Sequence, residues 1–211
     1  MRSEYLVLSA FWAAYCAIHS ALISTSATRL FKRMLGTRYC FYRLFFNSFS
    51  LITLIALMIF SNSHRFHGPV LLTWTGNWRM VRYSLILLSA LLVLLSARHY
   101  SMSQFLGIQQ IRQNQNPSAI TASGEIETTG ILGIVRHPWY VAVFILIWSS
   151  DQNLGTIVIN AILSAYLVIG TLLEEKKLVM EFGDKYREYQ RSVSMFIPLK
   201  WLNLKIRRQA T

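Results

Sequence analysis

A chain of 211 residues with a formal net charge of +12 has enough length for one or two domains. With 54% apolar and only 14% charged residues, and a mean hydropathy of +0.38, it does not have the composition of a soluble globular protein. The basic excess does not indicate a nucleic-acid partner, because its placement follows the apolar segments described next.

Five apolar segments approach the roughly 20 residues that a helix needs to cross about 30 Å of hydrocarbon. They are Tyr5 to Ile23, Phe41 to Phe60, Tyr83 to Ala97, Ile131 to Ser149 and Leu154 to Leu173. The expected fold is therefore all-α: a polytopic membrane protein with five transmembrane helices and a C-terminal amphipathic cytoplasmic helix. One membrane-embedded domain would comprise three spans (1–100), a cytoplasmic loop (101–129), a hairpin with an amphipathic helix (130–198) and a basic tail (199–211). Of the 21 Lys and Arg residues, all but Arg2, Arg65, Arg79 and Arg82 flank the spans on one side. By the positive-inside rule the amino terminus then lies outside and the carboxyl terminus in the cytoplasm, in a bacterial inner membrane or an endomembrane. Basic charge so placed reports topology and contact with anionic membrane lipids, not nucleic acid.

The first span is followed by Ser24-Thr25-Ser26-Ala27, small residues of the kind that flank a cleaved signal. Its length and the weakly charged Met-Arg-Ser-Glu start fit an uncleaved span instead. Cys16 and Cys40 fall at different depths and have neither disulfide nor metal-site spacing. His19 and Ser20 sit near the cytoplasmic end of the span. An imidazole at membrane depth must face protein or water, so His19 is either functional or bonded to a neighbouring helix. Beyond it, Arg43 and Asn47 are four residues apart and share a helix face, in a segment whose Tyr39, Phe41, Tyr42 and Phe45 fit an aromatic belt. His64 and His67 make a possible metal pair without a third ligand, which favours a plain solvated loop.

Span three ends in Arg98, His99 and Tyr100. The 29 residues Ser101 to Thr129 then form the longest connection, containing Phe105-Leu106-Gly107-Ile108-Gln109-Gln110, Asn116-Pro117, Glu125 and Glu127. A connection of that length is expected to be functional and folded over the cytoplasmic mouth. At Gly130 to Tyr140 an Arg136-His137-Pro138 triplet meets Trp139 and Tyr140 at the head of an apolar run. Proline has a fixed φ and no N–H, so Pro138 opens a helix and His137 precedes it in extended conformation. The short turn near Asp151 makes a hairpin that returns Glu174 and Glu175 to the level of Arg136 and His137. Leu178, Val179, Phe182, Tyr186 and Tyr189 then follow helical spacing, interrupted by Gly183, where a kink or close approach is expected. The stretch Val193 to Trp201 reads as an apolar return to the interface, and Lys205, Arg207 and Arg208 as a solvated tail.

Gly130, Arg136-His137-Pro138-Trp139-Tyr140, Glu174-Glu175, Phe182-Gly183-Asp184-Lys185-Tyr186, Tyr189 and Pro198 together resemble the carboxyl-terminal signature of the isoprenylcysteine carboxyl methyltransferase superfamily. The resemblance covers about the last third of the chain. His19-Ser20, Arg43 to Asn47 and Phe105 to Gln110 are similar to the branch that includes methanethiol S-methyltransferase. It implies a membrane enzyme that uses S-adenosylmethionine to methylate a small or lipophilic acceptor, most simply a thiol. Carried over, Gly130, Arg136, His137, Pro138, Tyr140, Glu174, Glu175, Tyr186 and Tyr189 would form the cofactor pocket. Gln109 and Arg187 would contact substrate, and His19, His99 or Glu175 would take the thiol proton. No metal is implied. The amino-terminal half also resembles the membrane family of the haem-dependent zeta-carotene isomerase, where histidines would be iron ligands. A non-enzymatic membrane assembly factor is the third alternative.

Overall fold

In the computed structural model, residues 2–63, 66, 68–113 and 126–209 are described. The His64–His67 pair, Arg65, Asn116-Pro117 and Glu125 lie outside them. The described elements are α1 (Arg2–Ile23), α2 (Thr25–Leu35), α3 (Tyr42–Ser61), β1 (Val70–Leu72), α4 (Trp78–Ala97), α5 (Met102–Leu106) and α6 (Ile108–Gln113). They continue as α7 (Pro138–Trp148), β2 (Gln152–Asn153), α8 (Leu154–Phe182), α9 (Asp184–Ser192) and α10 (Leu199–Gln209). The fold is almost entirely helical, as expected.

Among the described residues, four helical stretches are long and apolar enough to cross a membrane: Ser3–Ile23, Thr25–Ser61, Trp78–Ala97 and Leu154–Phe182. They turn large apolar side chains outward, Leu51, Ile52, Ile55, Met58 and Ile59 on α3 among them. In water such a surface would be a liability; in a bilayer it is the lipid contact, and the chain is an integral membrane protein. The expected fourth span is different. Its helix, α7, has 11 residues, about 16 Å at 1.5 Å per residue, too short to cross alone. The preceding residues Gly130–Gly133 form a 3₁₀ turn, and Val135 makes a parallel bridge with Ser194. The count of five full-length helices is thus not reproduced.

The chain divides into two compact units. The first comprises Met1–Thr73, Ser101–Ala119 and Asp151–Tyr166. Its core is Leu8, Trp12, Leu57 and Phe66, with the Trp12 indole donating to Ser61 Oγ at 2.9 Å. Arg43 and Asn47 do share a face: both donate to the Phe105 carbonyl, at 3.1 and 2.9 Å, which seats α5 on α3. In the same unit β1 pairs antiparallel with β2. Asn153 and Thr156 then bond reciprocally, backbone N–H to side-chain oxygen each way, at 2.7 and 2.9 Å. This capping exchange satisfies two donors at the start of α8. Cys16 and Cys40 are buried free thiols of this unit.

The second unit comprises Trp74–Tyr100, Ile120–Ser150 and Leu167–Thr211. Here α7 packs along α4, with the fully buried Ala142 at the contact and Ser89 Oγ donating to its carbonyl at 2.8 Å. Small residues of this kind let helix backbones approach closely inside a membrane. The helix after Glu175 is not a separate element, since α8 runs unbroken to Phe182. The break comes at Gly183, whose φ of +58° lies in the left-handed region that residues with a Cβ avoid. After this kink α9 turns Tyr186 and Tyr189 inward onto Leu178 and Val193. The expected solvated tail is instead helical, forming α10.

Candidate active site

Arg136 and His137 are held by their backbone before their side chains do anything. His137 precedes Pro138 at φ −124°, ψ 62°, outside the helical region that proline disfavours but short of the extended conformation expected. Arg136 N–H donates to Ser194 O at 2.9 Å and His137 N–H to Met195 O at 3.2 Å. The segment Val193 to Met195, on the far side of α9, thus acts as a short strand that fixes residues 135–137. Pro138 starts α7 and is itself fully buried.

The two side chains then meet Glu175 on α8. The Arg136 guanidinium donates to both Glu175 oxygens, Nε to Oε1 at 2.7 Å and Nη2 to Oε2 at 2.9 Å. Its Nη1 donates to the carbonyls of Gln190, at 3.2 Å, and Val193. His137 Nε2 lies 3.0 Å from Glu175 Oε1, so that nitrogen carries the proton toward the carboxylate. The Tyr186 hydroxyl and Gln190 Nε2 also donate to Glu175, at 3.2 and 2.6 Å. Glu175 therefore receives five donors, against about four lone-pair sites on a carboxylate. Arg136, His137 and Glu175 are all less than 9% exposed. A bidentate pair at this burial is stable only because its remaining donors are matched as well.

Glu174, one residue earlier, is in a different situation. Its side chain is 36% exposed; Oε2 accepts from the Tyr140 hydroxyl at 2.8 Å and lies 3.9 Å from His137 Nδ1. The rings of Tyr140 and His137 are 5.6 Å apart, and those of Tyr100 and Trp139 5.7 Å apart. Burial, and next the Glu174 charge, push the Tyr100 hydroxyl up to about 12. Burial comes first again in raising Tyr186 and Tyr189; the Tyr189 hydroxyl donates to Leu132 O at 2.6 Å. The result is a saturated ionic frame bordered by one accessible carboxylate and several rings.

The expected hairpin geometry is thus observed: Arg136, His137, Pro138, Tyr140, Glu174, Glu175, Tyr186 and Tyr189 converge in one unit. Gly130 lies in the same unit with φ +56°, and a Cβ there would come within 2.8 Å of His99 Nε2. His99 Nδ1 is 3.8 Å from Glu127 Oε1; the hydrogen bonds from Thr129 hold that carboxyl below its usual range. Arg187 points away on α9, its exposed guanidinium 3.1 Å from Asp184. His19 and Gln109 belong to the first unit. His19 Nδ1 is 3.1 Å from Ser50 Oγ and its ring packs 4.9 Å from Phe46; Gln109 accepts from Ser101 Oγ at 3.5 Å. Among the described residues, no group of three or more His, Cys, Asp or Glu is arranged to hold a metal ion.

Sequence reasoning missed Gln190 and the carbonyls of Val193, Ser194 and Met195. A glutamine four residues after Tyr186, on the face of α9 that buries Tyr186 and Tyr189, was the available signal. Backbone acceptors leave none. Arg136, expected in the cofactor pocket, has four of its N–H groups occupied within the protein.

Taken together, this is a helical membrane protein with a buried arginine–histidine–carboxylate frame at the junction of two apolar helices. The chain is 33% identical over 147 residues to a methanethiol S-methyltransferase of Pseudomonas deceptionensis, covering 68% of this chain and 51% of that protein. It is 30% identical over 121 residues to a methanethiol S-methyltransferase of Crocosphaera subtropica, 57% of this chain and 47% of the relative. A protein-S-isoprenylcysteine O-methyltransferase of Schizosaccharomyces pombe is 34% identical over 98 residues, 42% of each chain. The chain is thus a relative of the isoprenylcysteine carboxyl methyltransferase superfamily and of its methanethiol-methylating branch, and it spans about half the length of the curated relatives it matches. No family model matches the chain, and no solved structure matches it. The relatives favour the methyltransferase resemblance over the haem isomerase.

Proposed function

We propose that the chain is an S-adenosylmethionine-dependent membrane methyltransferase whose acceptor is a small or lipophilic thiol. The observation that carries this reading is the identity over 68% of the chain to a methanethiol S-methyltransferase. Bound S-adenosylmethionine would supply a methyl group activated on a sulfonium. The residues present fit its cationic end. Glu174, a partly exposed carboxylate braced by Tyr140, suits an ammonium or ribose hydroxyls. The rings of Tyr140, Trp139 and Tyr100 offer π-faces to a sulfonium.

In this reading Arg136 and Glu175 do not touch the reacting atoms. They fix His137, Tyr186 and the 190–195 segment so that Glu174 and Tyr140 keep their places, the positioning on which a direct displacement depends. Glu175, with its acceptor capacity taken, is a poor proton acceptor. We therefore assign the thiol proton to His99, a histidine of the same unit outside the ionic frame. The protein is placed with the Arg136 end of the site on the cytoplasmic side, where the basic residues cluster.

The test is transfer of a labelled methyl group from S-adenosylmethionine to thiol, carboxylate and amine acceptors by the detergent-purified protein. Methylation of thiols is expected, lost in Glu174→Ala and with a shifted pH profile in His99→Ala. Saturable cofactor binding without methylation of any thiol would remove the acceptor assignment; no binding at all would remove the whole reading.

A further inference from the structure

The last helix, α10, is an element that the proposed chemistry does not use. Its 11 residues, Leu-Lys-Trp-Leu-Asn-Leu-Lys-Ile-Arg-Arg-Gln, span about 16 Å, too short for a bilayer crossing. Leu199, Leu202 and Ile206 share one face by helical spacing, and all three are exposed, as are Leu204 and the adjoining Ile197. Lys205 lies over the Trp201 ring at 4.9 Å, pairing a cation with the aromatic type that settles at headgroup level. Four of the 11 residues are Lys or Arg, and none is acidic.

The helix is anchored at one end only. Lys200 N–H donates to Ser194 Oγ at 3.1 Å, and Lys200 Nζ to Gln190 O at 2.6 Å. These are residues of the segment that holds Arg136 and Glu175. Beyond Lys200 the apolar face has no cover among the described residues of the chain. An exposed apolar stripe beside clustered cations, on a chain already embedded in a bilayer, matches one occupant by its charge and its apolar face. We propose that α10 lies in the plane of the membrane, with Leu199, Leu202 and Ile206 in the acyl boundary and Lys205 and Arg207 on the phosphates of anionic phospholipids. The proposal does not rest on the methyltransferase reading, because it concerns a surface and not the reaction.

The experiment uses the full chain in lipid nanodiscs, with a nitroxide at Leu202→Cys or Ile206→Cys on the apolar face and at Leu204→Cys on the opposite side of the helix. Cys16 and Cys40 are buried and do not compete for label. In discs with about one-third phosphatidylglycerol, oxygen should relax the labels at 202 and 206 several-fold more than a water-soluble nickel chelate does, with the order reversed at 204. Lys205→Gln with Arg207→Gln should move 202 and 206 toward the chelate, and pure phosphatidylcholine discs should do the same in the unsubstituted helix. Equal access of both reagents to both faces would overturn the proposal. So would depth indifferent to anionic lipid and to charge removal, and so would protection of 202 and 206 from both reagents, which means that protein covers the face.

Discussion

Two adjacent glutamates with opposite surroundings make the sharpest test at the level of single residues. Glu175 is buried and receives five donors, whereas Glu174 is partly exposed and braced by Tyr140. Removing one partner of a buried, hydrogen-bonded ion pair leaves the other uncompensated and costs about 3–5 kcal/mol. Glu175→Gln is therefore expected to lower the unfolding temperature markedly, because it strands the Arg136 guanidinium. Glu174→Gln should leave thermal unfolding nearly unchanged while weakening S-adenosylmethionine binding at least tenfold. Calorimetric melting in detergent, beside equilibrium binding, separates the two. Equal destabilisation by both substitutions would refute the division of labour. The tyrosines add a pH dependence of defined sign. Tyr100, Tyr186 and Tyr189 have hydroxyls raised above the ordinary value of 10 by burial. Below pH 10 folded and unfolded chains both keep these protons, and stability is unaffected. Between about pH 10 and 12 the unfolded chain releases them first, so stability falls as pH rises. Melting temperatures should drop between about pH 10 and 12, less steeply in Tyr100→Phe; a Tyr100→Phe slope equal to that of the parent would refute the assignment.

At the level of elements, what could be read in the sequence followed from local rules. Pro138 after His137, the glycine kink at 183 and the shared face of Arg43 and Asn47 depend on backbone sterics or helical spacing, and each is found. The meeting of Glu174 and Glu175 with Arg136 and His137 was also legible, because a short turn between apolar segments leaves few alternatives. What hydropathy could not show is where a helix begins within an apolar run. Ile131 to Ser149 reads as one span, yet Arg136 and His137 need backbone partners outside any helix, and Ser194 and Met195 supply them. The non-helical stretch is tolerated because Leu132, Val135, Arg136 and His137 are buried in protein. In the same way, charge made residues 199–209 look like a solvated tail, whereas apolar residues at helical spacing among the cations make them a helix. The occupied guanidinium of Arg136 was illegible for a different reason: its partners include main-chain carbonyls, which carry no residue signature.

For the whole molecule the short α7 raises the question of which side each part of the chain occupies. β1, before α4, is hydrogen-bonded to β2, before α8, so these two connections lie side by side at one level of the fold. The chain leaves that level along α4 and must regain it before α8 starts. Only residues 98–151 are available for the return, and within them α7 packs along α4, with Trp139 near Tyr100 and Ser150 O accepting from the Trp74 indole at 3.1 Å. A 3₁₀ turn, an extended bridge and 11 helical residues thus stand where a full-length helix was expected. A passage that crosses the bilayer predicts that residues before α1's midpoint and residues after α8 face opposite compartments, with the basic residues of α9 inside by the positive-inside rule. Labelling with a membrane-impermeant maleimide should modify Ser3→Cys in intact cells and Ser192→Cys only after permeabilisation. If both positions label from the same side, residues 130–150 do not traverse the bilayer, and the Arg136–Glu175 frame would have to assemble without a crossing between α4 and α8.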